Sequence, residues 1–204
     1  RLCLGGALAA NVHGRGLAMR PIIDDVEAVT LVDAEGEVHT CSRTENRELF
    51  RLAIGGYGLF GVLYSITLRL SPRQKLRRVV ELTQVERLMP AFEARIREGH
   101  LYGDSQFAID ETSPEFLRSG VFSCYRPVPA ETPIGKEPER LSEENWKKMV
   151  LLAHTDKARA YEIYTSSYLS TNGQIYWSDT HQLGTYTDGY HETVDQRMRA
   201  RHPA

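Results

Sequence analysis

The sequence predicts an α+β chain in two parts, and three observations carry that expectation. Residues 26–32 and 37–41 read as two strands joined by the turn Asp33-Ala34-Glu35-Gly36, a hairpin. Residues 61–70 alternate, with Val62, Tyr64, Ile66, Leu68 and Leu70 on one side and Ser65, Thr67 and Arg69 on the other. That period of two belongs to a half-buried antiparallel strand. Ser71-Pro72-Arg73 then breaks the pattern, which places a boundary near residue 72. The expected parts are residues 1–72 and residues 73–204.

In the first part, residues 5–16 read as a glycine turn, one or two turns of small-residue helix, and a second glycine turn. The chain opens without Met on a short apolar run into Gly5-Gly6, which suggests a cut inside a domain. Ser42-Arg43-Thr44-Glu45 has the spacing of a capping box for a helix through Ala53, ended by Gly55 and Gly56.

In the second part, Leu76 to Leu82 reads as a strand. Val85, Leu88, Met89, Phe92 and Ile96 fall at helical spacing, with Pro90 placed in the first turn and Gly99 as the stop. Gln106 to Asp110 and Val121 to Tyr125 complete a strand-helix-strand-strand order, which suits an antiparallel sheet covered on one face by helices. Residues 127–141 hold four prolines and form a surface loop or lid. Helices are expected over 142–153 and 156–168, followed by aromatics and polar turns.

Composition narrows the function. The chain has 204 residues, 41% hydrophobic and 25% charged, ordinary values for a globular protein. A net charge of -2 gives no long-range attraction for nucleic acid or anionic lipid. No run of about 20 apolar residues spans a membrane. Cys3, Cys41 and Cys124 are far apart, without the spacing of a zinc site or a disulfide framework. A reducing, cytoplasmic setting and no metal are the expectations. The basic run Arg73, Lys75, Arg77 and Arg78 reads as a solvated strand edge.

Two glycine segments carry the strongest chemical signal. Gly5-Gly6-Ala7-Leu8-Ala9-Ala10 can bring backbone N–H groups close to anionic oxygens, with a helix behind them and little side-chain obstruction. Close packing of a short helix on a sheet explains the same residues. Gly55-Gly56-Tyr57-Gly58-Leu59-Phe60-Gly61 leads into a strand rather than a helix, so it is neither a P-loop nor a Rossmann turn. Together the two segments can hold different parts of one extended cofactor.

Gly5-Gly6-Ala7-Leu8-Ala9-Ala10-Asn11-Val12-His13-Gly14 and Gly55-Gly56-Tyr57-Gly58-Leu59-Phe60-Gly61-Val62 resemble the FAD-binding domain of the vanillyl-alcohol oxidase / p-cresol methylhydroxylase superfamily. The phrasing is similar to decaprenylphosphoryl-ribose oxidase, sugar-lactone and alditol oxidases and the sterol Δ24-reductase type, over residues 4–70. The resemblance implies that residues 1–72 are the second half of a PCMH-type FAD-binding domain, and that residues 73–204 are part of an α+β cap domain over the substrate. It implies FAD as cofactor, with Gly5, Gly6, Ala10, Asn11, Val12, His13 and Gly14 beside the flavin and pyrophosphate. Val62 would give backbone contacts to the adenosine half. The family's first phosphate loop precedes residue 1, so an isolated chain is expected to bind FAD poorly and to be inactive. Whether the flavin is covalent stays open.

His13 is the tentative catalytic residue, lining the ring and substrate space or merely ordering the turn. Arg15 contacts phosphate or is a solvated charge. Six of the ten tyrosines fall between Tyr161 and Tyr190. Tyr176, Trp177 and His181, with Asp179, Tyr186, Tyr190 and His191, form either a surface for a sugar-like or polar alcohol substrate or an aromatic cap core. Asp179 and His181 form an acid/base pair or are turn residues. The expected function is FAD-dependent oxidation of a hydroxyl carbon of a sugar, lactone or alcohol, with hydride transfer to flavin. The rivals are a flavin-dependent C=C reductase and a non-catalytic module that keeps the fold.

Overall fold

A computed structural model describes residues 3–136, 142–180 and 190–201, without the side chains of residues 190, 191, 193 and 201. The chain is α+β and divides into two compact units, Arg1–Pro72 and Arg73–Ala204.

The first unit is a three-stranded antiparallel sheet in the order β2-β1-β3, with β1 Val26–Val32, β2 Val38–Ser42 and β3 Val62–Leu68. The hairpin forms because the Asp33 carboxylate organises its turn. Asp33 Oδ1 accepts from the Glu35 and Glu37 amides at 3.0 and 2.8 Å, and Oδ2 lies 2.6 Å from His39 Nε2. Two helices, α1 Leu4–Ala9 and α2 Arg47–Ala53, supply the apolar cover. Leu8, Val29, Leu31, Phe50 and Ala53 form the core.

Three expectations for this unit are corrected. Gly5 and Gly6 do not form a turn; they lie inside α1, which Cys3 caps through Sγ to the Gly6 amide at 3.2 Å. The Ser42 hydroxyl accepts from the Glu45 amide at 3.0 Å, the bond a capping box requires, but the segment is a turn. The helix starts five residues later, behind a left-handed Asn46. In β3, the alternation does not hold one face. Leu31 pairs with Leu63 while Thr30 pairs with Ser65, so Tyr64 is an extra residue, a β-bulge. The bulge turns Leu63 and Ile66 both toward the core and leaves Val62 and Tyr64 outside.

The second unit is a four-stranded antiparallel sheet in the order β5-β6-β4-β7: β4 Lys75–Gln84, β5 Tyr102–Phe107, β6 Ser119–Val128 and β7 Ile175–Trp177. Helix α3, Val85–Arg97, lies on the face that carries Phe122, with Phe92 edge-on to it at 4.8 Å. The pair α4 Glu143–Thr155 and α5 Lys157–Leu169 covers the other face, where Tyr168 lies against Arg78. Phe122 and Tyr125 sit three positions apart on β6, so they point to opposite sides. Helices therefore cover both faces, not one.

Pro90 is the sixth residue of α3 rather than in its first turn, and costs that helix one internal hydrogen bond. Gly99, at φ +82°, ends it: the Gly99 and His100 amides return to the Ile96 and Arg95 carbonyls at 3.0 and 2.9 Å. Ser142 and Asp156 cap α4 and α5 through the Asn145 and Arg159 amides. A final helix, α6 Tyr190–Arg201, replaces part of the expected run of polar turns. Residues 137–141 of the expected loop lie outside the described residues. No helix among the described residues is long and apolar enough to cross a membrane.

Candidate functional site

In the first unit the two glycine segments meet. The Gly55 amide donates to the Leu8 carbonyl at 3.0 Å, and the Tyr57 amide to the Ala9 carbonyl at 2.9 Å. Two residues with side chains are held left-handed at this seam, Asn11 at φ 46° and Tyr57 at φ 51°. Each costs on the order of 1 kcal/mol, a strain that the surrounding structure must hold. A Cβ on Gly55 would lie 3.2 Å from the Asn11 Cβ.

The glycines divide by what surrounds them. A Cβ on Gly5 would stand 3.2 Å from the Leu63 carbonyl oxygen, so Gly5 serves close packing of α1 on β3. Gly56 and Gly61 are tighter, with a Cβ 2.2 Å from the Leu52 oxygen and 2.4 Å from the Val32 oxygen. Gly14 and Gly58 face open space. Gly14 and Gly58 thus leave bare backbone that a ligand can approach.

Around the seam, Asn11, Val12, His13 and Gly14 are exposed, whereas Ala10 is half-buried. His13 Nδ1 is 3.4 Å from the Gly14 oxygen, too long to fix the ring. Arg15 is half-buried. The second segment and the start of β3 carry large apolar side chains on the surface: Tyr57 78% exposed, Leu59 84%, Val62 71% and Tyr64 78%. Of these, the sequence assigns only Val62 to the cofactor. The signal for Tyr57 and Tyr64 was present, an aromatic in a glycine loop and one in an alternating strand, but the bulge hid the second.

In the second unit the described residues of the predicted aromatic site differ in their surroundings. Tyr176 is buried, 6% exposed, and edge-on to Tyr125 at 6.1 Å. Both rings, with Tyr168, surround the Arg78 guanidinium at 5.3 to 5.5 Å. Arg78 is 4% exposed and donates to the Thr171 hydroxyl at 2.9 Å. The expected solvated basic edge is thus corrected: β4 is an interior strand, and Arg78 and Lys75 are buried in it. Trp177 stands under Arg73 at 4.3 Å, and Asp179 pairs with Arg73 at 2.8 Å. His181 and Tyr186 lie outside the described residues, as do the side chains of Tyr190 and His191.

Burial pushes the Tyr164 hydroxyl up, and the Tyr168 hydroxyl up to about 12. Neither exchanges protons near neutrality. An apolar cavity of about 240 Å³ lies between β5 and the α4–α5 pair, lined by Phe107, Met149, Ala153, Tyr161 and Tyr164 among others. Among the described residues no group of three or more His, Cys, Asp or Glu can hold a metal.

Comparison with known proteins gives two kinds of match. A family model described as the NUC153 domain matches residues 99–119, which cover β5 and the turn into β6. That short segment carries none of the glycine seam. Curated relatives match more of the chain. Cytokinin dehydrogenase 4 of Oryza sativa subsp. japonica is 35% identical over 82 residues, 40% of this chain and 16% of that protein. D-arabinono-1,4-lactone oxidase of Debaryomyces hansenii is 23% identical over 133 residues, 65% of this chain and 22% of that protein. L-gulonolactone oxidase of Bos taurus is 24% identical over 98 residues, 48% and 22%. The chain spans less than a quarter of the length of each.

Proposed function

We infer that this chain is a stretch of a flavin-dependent oxidoreductase, because the relatives it matches are members of the FAD-linked oxidase (PCMH-type) family. In this reading Arg1–Pro72 is the second half of the FAD-binding domain, and residues 73–204 belong to the cap over the substrate. The observation that carries it is the seam: Gly55 to Leu8 and Tyr57 to Ala9 bring both glycine segments to one edge. Bare backbone at Gly14 and Gly58 and exposed apolar side chains at Val12, Leu59 and Val62 suit a flat, extended, anionic cofactor.

When bound, FAD would supply the acceptor for one hydride, which carries both electrons. The chain's part is to hold and orient it. Asn11 to Gly14 offer backbone to the flavin and pyrophosphate, and Val62 to the adenosine half. Gly5 acts from behind, through the close packing of α1 on β3, and Gly6 and Ala10 complete the cofactor edge. The exposed His13 ring takes the proton of a substrate hydroxyl at a free ring nitrogen. The substrate we favour is a hydroxyl carbon of a sugar, lactone or alcohol, supported by the likeness to D-arabinono-1,4-lactone oxidase over 65% of this chain. Cytokinin dehydrogenase 4, at 35% identity, favours a second reading in which the carbon attacked is that of a cytokinin-like substrate.

The test is an absorbance scan of the protein expressed from its gene, before and after acid precipitation. Bands near ~370 and ~450 nm belong to oxidised flavin, and colour in the pellet marks covalent attachment. Oxygen uptake with sugar lactones, against dye reduction with a cytokinin, separates the substrates. A colourless protein that takes up no added FAD would overturn the reading and leave a non-catalytic module.

A further inference from the structure

We propose that Arg77 of β4 and Arg126 of β6 form a binding site for an oxyanion, the phosphate or carboxylate group of a small molecule. The two residues are direct partners in the antiparallel register of the central strand pair. Direct partners project from the same face of a sheet with their Cβ atoms about 5 Å apart. Both side chains are half-buried. Like charges in that position repel, which makes the pair unfavourable unless something neutralises it.

Nothing among the described residues does so: neither side chain has an ion pair or a hydrogen bond there. Three described carboxylates of this unit are engaged elsewhere. Glu81 and Glu98 both pair with Arg95, at 3.0 and 3.1 Å. Asp179 pairs with Arg73. Lys75, one row along the same face, donates from Nζ to the Thr132 carbonyl at 2.6 Å and lies over Trp177 at 5.2 Å. The buried His100 is held neutral chiefly by desolvation, and the charge of Arg126 acts in the same direction. Among the described residues, these neighbours therefore add positive charge and leave the pair without a partner carboxylate.

Each guanidinium carries a planar donor fork, and two forks rooted at facing positions of one strand pair can reach a shared phosphate or carboxylate through paired hydrogen bonds. An oxyanion between them replaces repulsion with two charge-assisted contacts. Because Arg77 and Arg126 sit on the two interior strands, their backbones are fixed before any ligand arrives. This site is independent of the glycine seam in the first unit, so its failure would leave the flavin reading untouched.

The test is thermal unfolding of the 204-residue chain in sodium phosphate, sodium acetate and sodium chloride at one ionic strength. A Tm raised by a few degrees in phosphate or acetate over chloride is the expected result. A rise in phosphate alone assigns a phosphate group, and a rise in acetate alone a carboxylate. Arg77→Gln and Arg126→Gln each remove the repulsion, so both are expected to fold, and both should lose the rise. Arg77→Lys, which keeps the charge and loses the fork, should keep less than half of it. Equal Tm values in all three salts, or a rise that survives in Arg77→Gln, would overturn the proposal. Isothermal titration of the unmodified chain with inorganic phosphate gives a second measurement, and heat indistinguishable from dilution in both phosphate and acetate overturns it as well.

Discussion

The Gly55 amide donates to the Leu8 carbonyl at 3.0 Å, joining residues 47 positions apart in the sequence. This bond and its neighbour from Tyr57 to Ala9 make one edge out of two segments. Their glycines should then separate into two classes on substitution.

Gly56→Ala and Gly61→Ala place a methyl group 2.2 and 2.4 Å from a backbone oxygen. Gly61 also has φ +131°, which a side chain rarely adopts. Each is expected to cost about 1–3 kcal/mol, read from the urea midpoint of the first unit. Gly14→Ala meets nothing within 4 Å and should stay within about 0.5 kcal/mol of the parent. If the backbone there lies against flavin, the same variant lowers FAD affinity in the holoprotein. Unchanged affinity in Gly14→Ala would count against the assigned cofactor edge.

The bulge at Tyr64 makes a second test. A strand without it would bury Val62 and Tyr64 and expose Leu63. With it, Leu63 packs on the core opposite Leu31, and Tyr64 points outward. Leu63→Ala is expected to cost about 2 kcal/mol or more, while Tyr64→Ala costs less than about 1 kcal/mol. The reverse order in urea melts would show that the strand keeps one phase.

How much of this was legible depends on how far apart the determining residues are. The β1–β2 hairpin was, because Asp33 and Gly36 act within their own turn. Helix α3 was, because its apolar period and Gly99 are both local. The bulges at Glu27 and Tyr64 were not: each is set by the partner strand, and the residues alternate the same way with or without an extra residue. Ser42 misled because its hydroxyl makes the capping bond in a turn that does not become helix. Helix α6 escaped notice because its polar sequence leaves one described side chain buried, Val194. Of the candidate site, the segments themselves could be read. Their seam could not, nor could the burial of Arg78 beneath three tyrosines, since both depend on long-range pairing.

The three cysteines should react in two classes. Cys3 is exposed, while Cys41 and Cys124 are buried. Desolvation raises the Cys41 thiol and pushes Cys124 up to about 12. The thiolate is the reactive form, so at pH 8 one thiol per chain should titrate rapidly with a disulfide reagent and two only after denaturation. Cys3→Ser should abolish the rapid phase. A rapid phase that persists in that variant would mean that one of the two cores opens on the time scale of the assay.

His100 sets an acid limit on the second unit. Its side chain is buried, with Nδ1 3.1 Å from the Arg95 carbonyl. Burial lowers its pKa, opposed by that backbone bond and reinforced by the charge of Arg95. A folded-state pKa below the unfolded value of about 6.5 means that the unfolded chain binds the proton more readily as pH falls. The stability that neutral His100 confers is therefore complete above about pH 6.5 and drains away below it, down to the folded pKa. His100→Gln keeps a hydrogen-bonding side chain of similar reach and removes the titration. Its Tm should be lower than the parent's at pH 8, because the packing is worse, yet fall less between pH 7 and pH 5. Parallel Tm profiles for parent and variant across that interval would exclude His100 as the source of acid sensitivity.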